Sequence, residues 1–286
     1  MEKILRMILP KGHPGEKVVE LLGRIGLRFS AADRSYRPAC SDGEVEAKFL
    51  RPQNIPRLVE LGRHDCGFTG LDWVVEENAD VVELMDLGLD PVRIVAAVPE
   101  ELVRSADYAS RELVVASEYR KITMDYIEKK KLNCVFVQSY GATEALPPED
   151  ADMIIENTST GTTLEENRLV IVEEIMKSTT RFICNKEALE DQWKKRKLDE
   201  ICMLMKGALN ADRRVLLEMN VPGECFEAVV AALPCMKAPT VSGLHNEEGY
   251  AVKAAVPVDE VPGLIPKLKE MGARDILEYK LEKIVE

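Results

Sequence analysis

The chain has 286 residues, of which 46% are hydrophobic, and it carries a net charge of −12. This length and apolar content suffice for roughly two or three domains with buried cores. The negative charge argues against a nucleic-acid surface, because phosphate backbones are bound by clusters of lysine and arginine. No stretch approaches the roughly 20 apolar residues that cross a bilayer, and the first residues lack a secretion signal, which predicts a cytoplasmic protein without a membrane partner.

The cysteines and histidines do not form ligand patterns. Seven cysteines are scattered without a C-x-x-C pair, and the three histidines, His13, His64 and His245, are far apart. Zinc sites and disulfide frameworks need tighter grouping. Reduced thiols are therefore predicted, and covalent catalysis by a Ser/His or Cys/His pair has little support.

In the first 91 residues, predicted strands and helices alternate. Strands are predicted at 3–9 and 45–50 and helices at 15–25 and 55–61, and a short strand then turns through Gly67 and Gly70 into another helix. This alternation predicts a parallel α/β sheet, in which ligands bind beyond the carboxyl ends of the strands.

The next segments predict a second α/β lobe and a return to the first. Apolar strands are predicted from Val92, at 112–116, 134–138, 152–156 and 181–186, with helices at 122–129 and 187–209. The apolar segments near 92 and 181 would be the crossings between lobes. The predicted domains are a first lobe of residues 1–91 with 181–210 and a second lobe of residues 92–180, with a ligand cleft between them.

The stretch ENTSTGTTLEEN, residues 156–167, places small hydroxyl residues around a glycine, after an apolar strand and before an acidic helix start. Backbone NH groups in such a turn can converge on a phosphate together with the first amides of the helix. The alternative is helix capping alone, because Thr162 followed three residues later by Glu165 resembles a capping box.

The last 75 residues or so change character. Strands are predicted at 215–221, 240–244, 250–256 and 276–284, and helices at 223–232 and 258–271. The order βαββαβ is the ferredoxin-like pattern, which predicts a separate domain over residues 212–286. Many unrelated proteins carry this fold, so it does not define a function.

Four segments, in this order, resemble the long form of ATP phosphoribosyltransferase, the first enzyme of histidine biosynthesis. They are LPKG at 9–12, FLRPQNIPRLVELGRHDCGFTGLD at 49–72, GATEALPPEDADMIIENTSTGTTLEEN at 141–167 and the βαββαβ tail. The resemblance covers nearly the whole chain. It implies two α/β lobes like those of periplasmic binding proteins and a C-terminal regulatory domain.

The same resemblance implies an activity and its partners. A 5-phosphoribosyl group would pass from phosphoribosyl pyrophosphate to N1 of ATP, with magnesium required and pyrophosphate released. Histidine would be a feedback inhibitor bound by the tail, and the chain would form homo-oligomers, from dimers to hexamers.

The family motifs also assign site residues. They imply that the loop holds the ribose 5-phosphate and that Glu156 binds the ribose hydroxyls, the loop residues being Ser159, Thr160, Gly161, Thr162 and Thr163. Lys11 and Arg51 are the candidate cations for the phosphates. Glu144 and Asp72 complete the predicted catalytic set, Asp72 either ordering magnesium or ribose or capping the following helix. Histidine is assigned to Asn220, Thr240 and Ser242, and direct metal ligands are unknown.

The chain departs from the family pattern at three site positions. The family often has arginine where this chain has His13 and Thr162, and aspartate where it has Glu156. Arg120 or Lys121 would then supply charge from the second lobe. Two rival functions remain: a non-enzymatic two-lobed regulator that binds a small molecule, and a phosphoribosyltransferase that acts on another base.

Overall fold

The computed structural model describes residues 3–30, 36–104, 111–245 and 248–285. The chain divides into two compact units, residues 1–23 with 27–197 and residues 24–26 with 198–286. The first unit contains two five-stranded sheets and the second a four-stranded sheet. We refer to the two sheets of the first unit, with the helices that follow their strands, as the first and second lobes.

The described residues contain sixteen strands and ten α-helices. The strands are β1 (Leu5–Pro10), β2 (Phe29–Ser30), β3 (Ala39–Cys40), β4 (Val45–Leu50), β5 (Cys66–Gly70), β6 (Val82–Asp86), β7 (Val92–Pro99), β8 (Leu113–Ser117), β9 (Cys134–Gln138), β10 (Met153–Thr158), β11 (Leu169–Ser178), β12 (Thr180–Cys184), β13 (Arg214–Val221), β14 (Thr240–Gly243), β15 (Tyr250–Pro257) and β16 (Arg274–Lys280). The helices are α1 (His13–Arg24), α2 (Ile55–Glu60), α3 (Leu71–Glu76), α4 (Glu100–Arg104), α5 (Arg120–Lys130), α6 (Thr162–Glu166), α7 (Lys186–Glu190), α8 (Gln192–Ala211), α9 (Phe226–Ala232) and α10 (Val261–Glu270).

The sheet of the first lobe has the order β4-β1-β5-β12-β6. Strand β1 is parallel to β4 and β5, whereas β12 is antiparallel to both β5 and β6. Because β12 is antiparallel to both of its neighbours, the strands β1, β4, β5 and β6 all run in the same direction, and the parallel arrangement predicted for the first 91 residues is confirmed in this sheet. Strand β12 is reversed because the chain enters it from the second lobe.

The sheet of the second lobe has the order β11-β7-β10-β8-β9. Strands β10, β8 and β9 are parallel, and β7 is antiparallel to both β10 and β11. Residues 94–98 of β7 are all fully buried. A strand covered on both faces has a continuous apolar sequence, which explains why VRIVAAVP lacks the alternation of a half-exposed strand.

Several elements differ from the sequence-based expectations. Strands β2, β3, β6 and β11 and helix α4 were not predicted, and the long charged helix expected at 187–209 is two helices, α7 and α8. In β11 an apolar run at 169–172 is followed by two glutamates, and of its apolar residues only Leu169 is buried, so the strand has no regular apolar pattern. The helix is interrupted at Asp191, whose Oδ1 accepts hydrogen bonds from the amides of Trp193 and Lys194 and so starts α8.

The second unit has the sheet order β14-β15-β13-β16, and its elements follow the predicted βαββαβ order. Alternate residues of β13, beginning with Val215, are buried against α9 and α10, and β15 has the same alternation. Residues such as Asn220 therefore lie on the opposite face of this sheet. The predicted fold class, a two-lobed periplasmic-binding-protein-like α/β core with a ferredoxin-like C-terminal domain, is confirmed.

An aromatic pair lies at the centre of the first lobe. Phe68 of β5 and Phe182 of β12 are cross-strand partners, their ring centroids are 4.5 Å apart, and both side chains are fully buried. Because β12 joins β5 to β6, this pair holds together strands that are more than 100 residues apart in the chain.

We expect the substitution Phe182→Ala to lower the free energy of unfolding by about 3–5 kcal/mol, since it removes a fully buried ring and leaves a cavity. Denaturant unfolding followed by circular dichroism measures this. Val137→Ala in β9, where the side chain is 41% exposed, is the control and should change the stability by less than about 1 kcal/mol. Equal losses in both variants would contradict the assigned core.

Candidate active site

The hydroxyl-rich loop follows β10 directly. Ser159 and Thr160 are exposed, Gly161 is buried with a φ of 95°, and α6 begins at Thr162. A left-handed φ is readily adopted only by glycine, so Gly161 permits the turn. The N-cap of α6 is Gly161 and no side chain caps the helix. Helix capping as the sole purpose of the hydroxyl run is therefore wrong, and these side chains remain available to solvent.

A cavity of about 340 Å³ lies over this loop. Two carboxylates and four hydroxyl residues among the predicted site residues line it: Glu144, Glu156, Ser159, Thr160, Thr162 and Thr163. Glu144 reaches the cavity from a single 3₁₀ turn, Thr143–Ala145, after β9, and Glu156 from β10. Segments separated in the sequence thus converge on one space, which we call the loop cavity.

The half-buried carboxylate of Glu156 is held by the next residue. Its Oε1 accepts hydrogen bonds from the backbone amide and from the side-chain Nδ2 of Asn157, both at 2.9 Å. Burial raises the pKa of Glu156, and the nearby charges of Glu118 and Glu144 raise it further, against the opposing bonds from Asn157 and Thr143. In the loop cavity, ionisation of this carboxylate therefore costs free energy unless a bound ligand offsets its negative charge.

A second cavity, of about 210 Å³, lies between the two lobes, and we call it the inter-lobe cavity. Val92 and Asn157 line both cavities, so the two spaces adjoin. Pro10 and Pro52, which line the inter-lobe cavity, come at or just after the carboxyl ends of the neighbouring parallel strands β1 and β4. The carboxyl ends of these parallel strands thus face the second lobe, as expected for a ligand site in an α/β sheet.

Lys11 and Arg51 stand at this edge. Each follows a strand end, and Pro10 and Leu50, the residues before them, are register partners. Both side chains are exposed, and the Lys11 ammonium lies 3.3 Å from the hydroxyl of Tyr36 and 4.5 Å above its ring. The structure brings the two cations together beside Pro10 and Pro52, but neither is among the residues that line the two cavities.

Asp72 lies in the first turn of α3, and its side chain is only 4% exposed. The hydroxyl of Tyr119 donates to Oδ2 at 2.9 Å, and the hydroxyl of Ser178 donates to Oδ1 at 2.5 Å. A Cβ atom on Gly70 would lie 2.1 Å from Asp72 Oδ1, so glycine at this N-cap position is needed for packing. Asp72 does not cap α3, and its contacts indicate a buried connection between the lobes.

Other cations named from the sequence have partners. Arg120 lies over the ring of Phe136 at 4.9 Å, and the Lys121 ammonium contacts Asp125 at 2.5 Å. His13 is exposed and lies within 4.0 Å of Glu16 and Asp90. Arg120 and Lys121 do not line either cavity, so the supply of positive charge from these two side chains stays a prediction.

The sequence did not single out four residues that the structure brings to the cavities. They are Glu118, Tyr119, Asn157 and Ser178. Only Asn157, adjacent to Glu156, lay within a motif. Tyr119 and Ser178 reach the site through hydrogen bonds between residues 38 to 106 apart in the chain, for which the sequence has no local signal.

In the second unit, the residues assigned to histidine lie on one face of the sheet. Asn220 and Ser242 are both register partners of Ala251, on opposite sides of β15, and Thr240 is two residues from Ser242. The Asn220 Nδ2 donates to Asp275 Oδ2 at 3.0 Å. Paired and alternate residues of a sheet share a face, so the three assigned side chains project from the face opposite the helices.

The described residues contain neither a metal-binding cluster nor a membrane-spanning helix. No group of three or more His, Cys, Asp or Glu side chains within them could hold a metal ion. Across the same ranges, none of the helices combines the length and the apolarity that a membrane span requires.

Two α/β lobes with a hydroxyl-lined loop, a carboxylate pair and strand-end cations are typical of proteins that bind phosphorylated ligands in a cleft. A family model described as ATP phosphoribosyltransferase matches residues 51–207, and one described as the HisG C-terminal domain matches residues 211–283. The chain belongs to the ATP phosphoribosyltransferase family, the enzymes of the first step of histidine biosynthesis, in the long form that carries the C-terminal domain.

Individual relatives agree with this assignment. The chain is 40% identical over 289 residues to the ATP phosphoribosyltransferase of Thermodesulfovibrio yellowstonii, covering 99% of both chains. It is also 40% identical to that of Chlorobium phaeovibrioides, covering 99% of this chain and 98% of the relative. A solved structure, the ATP phosphoribosyl transferase (HisG:HisZ) complex from Thermotoga maritima, aligns with a TM-score of 0.63 and 26% identity, covering 71% of this chain and 98% of that one. The predicted family and enzyme class are confirmed.

The raised pKa of Glu156 predicts a stability change. The folded-state pKa lies above the unfolded one, so the ionised carboxylate destabilises the fold at neutral pH, and stability is regained as the pH falls through the raised pKa. We expect Glu156→Gln to be more stable than the natural protein at pH 7, with the difference shrinking in acid. Thermal unfolding between pH 4 and 8 measures this.

The control for this experiment is Glu166→Gln, at an exposed carboxylate in α6. Because this side chain is solvated, its replacement should leave the stability nearly unchanged at every pH. A Glu156→Gln protein that is less stable than the natural one at pH 7 would contradict the buried-charge interpretation.

Proposed function

We propose that the loop cavity binds phosphoribosyl pyrophosphate and that the chain transfers its 5-phosphoribosyl group to N1 of ATP held beside it. The observation that carries this proposal is the convergence of Glu144, Glu156 and four hydroxyl residues on one cavity that adjoins the inter-lobe space. A sugar phosphate needs hydroxyl and amide donors for its phosphate and acceptors for its ring hydroxyls, and the loop cavity has both kinds of group.

The reaction requires positioning more than acid–base chemistry. The bond between C1 of the ribose and the pyrophosphate oxygen breaks, pyrophosphate leaves with the electron pair, and the lone pair of adenine N1 forms the new bond to C1. Because N1 already has a lone pair, no strong base is needed, which suits a chain with three histidines. Catalysis then depends on orienting two anionic substrates and stabilising the charge of the leaving group.

The predicted loop residues and Glu156 have distinct roles in this scheme. The hydroxyls of Ser159, Thr160 and Thr163, with the turn at Gly161, would hold the 5-phosphate, and Thr162 would line the same wall. The carboxylate of Glu156 would accept hydrogen bonds from the ribose hydroxyls. These roles are supported by the exposure of the hydroxyl side chains and by the half-buried, already oriented Glu156.

Lys11 and Arg51 would face the phosphates from the first lobe. They follow paired strand ends at the rim of the inter-lobe cavity, where a pyrophosphate extending from the loop cavity would arrive. A guanidinium can bind two phosphate oxygens at once, and an ammonium acts as a compact charge. Glu144, which also lines the loop cavity, would help to fix the ribose.

We propose that Mg²⁺ binds together with the substrate. The donors fit this, because Mg²⁺ is usually bound by one or two carboxylates together with substrate phosphates and water, and Glu144 and Glu156 lie at the same cavity. When bound, the ion would offset the charge of the pyrophosphate. The described residues contain no cluster that would hold it without substrate.

We also propose that histidine inhibits the enzyme through the second unit and that the chain acts as a homo-oligomer, from dimer to hexamer. Asn220, Thr240 and Ser242 share one open sheet face, where an imidazole and an amino group could find polar partners. The solved relative from Thermotoga maritima is itself a complex, which supports association. Histidine would have to bind the active and inactive arrangements unequally.

Substitutions at the loop cavity test the substrate assignment. We expect Glu156→Gln to lower kcat/KM for phosphoribosyl pyrophosphate about 10- to 100-fold, because a hydrogen bond to a charged group is worth about 1.5–3 kcal/mol. Thr163→Ala should lower it by about 3- to 10-fold, the effect of a neutral hydrogen bond. Formation of phosphoribosyl-ATP, followed by ultraviolet absorbance with pyrophosphatase present, measures both.

The matched control is again Glu166→Gln, whose side chain is exposed and does not line the loop cavity. It should retain the natural kcat/KM. Unchanged kinetics in both Glu156→Gln and Thr163→Ala would refute the proposal that the loop cavity binds phosphoribosyl pyrophosphate. Turnover with another base instead of ATP would show that the proposed acceptor is wrong.

Inhibition by histidine is tested in the second unit. We expect Asn220→Ala to raise the histidine concentration for half-inhibition at least about tenfold while turnover without histidine is kept, because the substitution removes a polar contact from the assigned face. Lys280→Gln, at the far end of β16, is the control and should be inhibited like the natural protein. Equal inhibition of all three proteins would reject the assigned effector face.

A further inference from the structure

A continuous series of hydrogen bonds joins the first lobe to Glu156. The series begins at the buried Asp72, whose Oδ2 accepts a hydrogen bond from the Tyr119 hydroxyl at 2.9 Å. The Tyr119 oxygen in turn accepts a hydrogen bond from Asn157 Nδ2 at 3.1 Å. The same Asn157 Nδ2 donates to Glu156 Oε1 at 2.9 Å. Four side chains from α3, β10 and the segment before α5 are thus joined in series.

The direction of these bonds is fixed by protonation. Burial raises the pKa of Tyr119, and the charge of Asp72 raises it further, so the phenol keeps its proton. The hydroxyl can therefore donate only toward Asp72 and must accept from Asn157. The amide of Asn157 is turned with its NH₂ group toward both Tyr119 and Glu156, which leaves a single arrangement of donors and acceptors.

The contact between the lobes is reinforced around this series. The rings of Trp73 and Tyr119 stack with centroids 4.6 Å apart. The carboxylate of Glu76, in α3 of the first lobe, accepts from the backbone amides of Lys121 and Ile122, in the first turn of α5 of the second lobe, at 2.9 and 3.0 Å. Helix α3 therefore holds the start of α5 by stacking, by capping and by the Tyr119 hydroxyl.

We propose that Tyr119 is a positioning residue for the phosphoribosyl transfer: through Asn157 it sets the orientation of the Glu156 carboxylate and makes that orientation depend on the placement of the first lobe. The proposal rests on the proposed role of Glu156 and extends it. Because Asp72 belongs to the first lobe and Glu156 to the second, the side-chain bond from Asn157 to the carboxylate depends on the α3–α5 contact, whereas the bond from the Asn157 backbone amide does not.

The test is Tyr119→Phe, which removes one oxygen and keeps the ring that stacks on Trp73. We expect the KM for phosphoribosyl pyrophosphate to rise about 5- to 10-fold, with kcat changed less than about twofold, because the substitution loosens Glu156 rather than removing it. In the double variant with Glu156→Gln, Tyr119→Phe should have no further effect on this KM, since the two residues act in series.

A control variant separates positioning from general loosening of the second lobe. Tyr126→Phe removes a hydroxyl on α5 that contacts Glu173 and does not line either cavity. It should keep the KM for phosphoribosyl pyrophosphate within about twofold. A thermal melt of each variant verifies that it is folded. An equal rise of KM in Tyr126→Phe and Tyr119→Phe would overturn the proposal.

The remaining outcomes distinguish the two levels of inference. If Glu156→Gln itself leaves kcat/KM for phosphoribosyl pyrophosphate unchanged, the proposed role of Glu156 is wrong, and the role of Tyr119 that rests on it is wrong as well. If Glu156→Gln raises the KM but Tyr119→Phe behaves like Tyr126→Phe, the proposed role of Glu156 stands and the role of Tyr119 is wrong. Additive effects in the double variant would likewise show that Tyr119 acts independently of Glu156.

Discussion

The buried carboxylate of Asp72 holds the two lobes of the first unit in contact. A charge with 4% exposure is stable only if its oxygens are hydrogen-bonded, and both bonds come from the second lobe, from Tyr119 and Ser178. Losing either partner would leave a buried charge incompletely solvated. The lobes are therefore joined by a polar contact that tolerates little displacement, and all three of its residues line the inter-lobe cavity.

The electrostatics of the site are the reverse of what its substrates would require. Glu118, Glu144 and Glu156 raise the local negative charge, while phosphoribosyl pyrophosphate and ATP are anions. Cations at the strand ends, Lys11 and Arg51, and a metal ion carried by the substrate would offset this charge on binding. An acidic cavity that becomes favourable only when a cation accompanies the ligand would discriminate against free phosphates.

The sequence allowed the fold class and the loop to be predicted, because both depend on local patterns. The β13–β16 domain has clear alternation, and the hydroxyl run around Gly161 is contiguous. Strands β6 and β11 were missed, since their apolar residues are few or only half-buried. The contact between Asp72 and Tyr119 could not be predicted, because it depends on how two lobes meet and leaves no pattern in either segment.

The position of β12 has a consequence for the synthesis of the chain. Among the described residues, β6 pairs only with β12, which is made about a hundred residues later, after the whole second lobe. While the ribosome is still adding the second lobe, the first lobe has β1, β4 and β5 together but β6 has no neighbour. The second lobe would thus be complete before the sheet of the first lobe, whose strands come both before and after it in the chain. An interruption of translation between residues 99 and 180 would release a chain in which β5 lacks its neighbour β12, and such an unpaired strand edge is prone to aggregation.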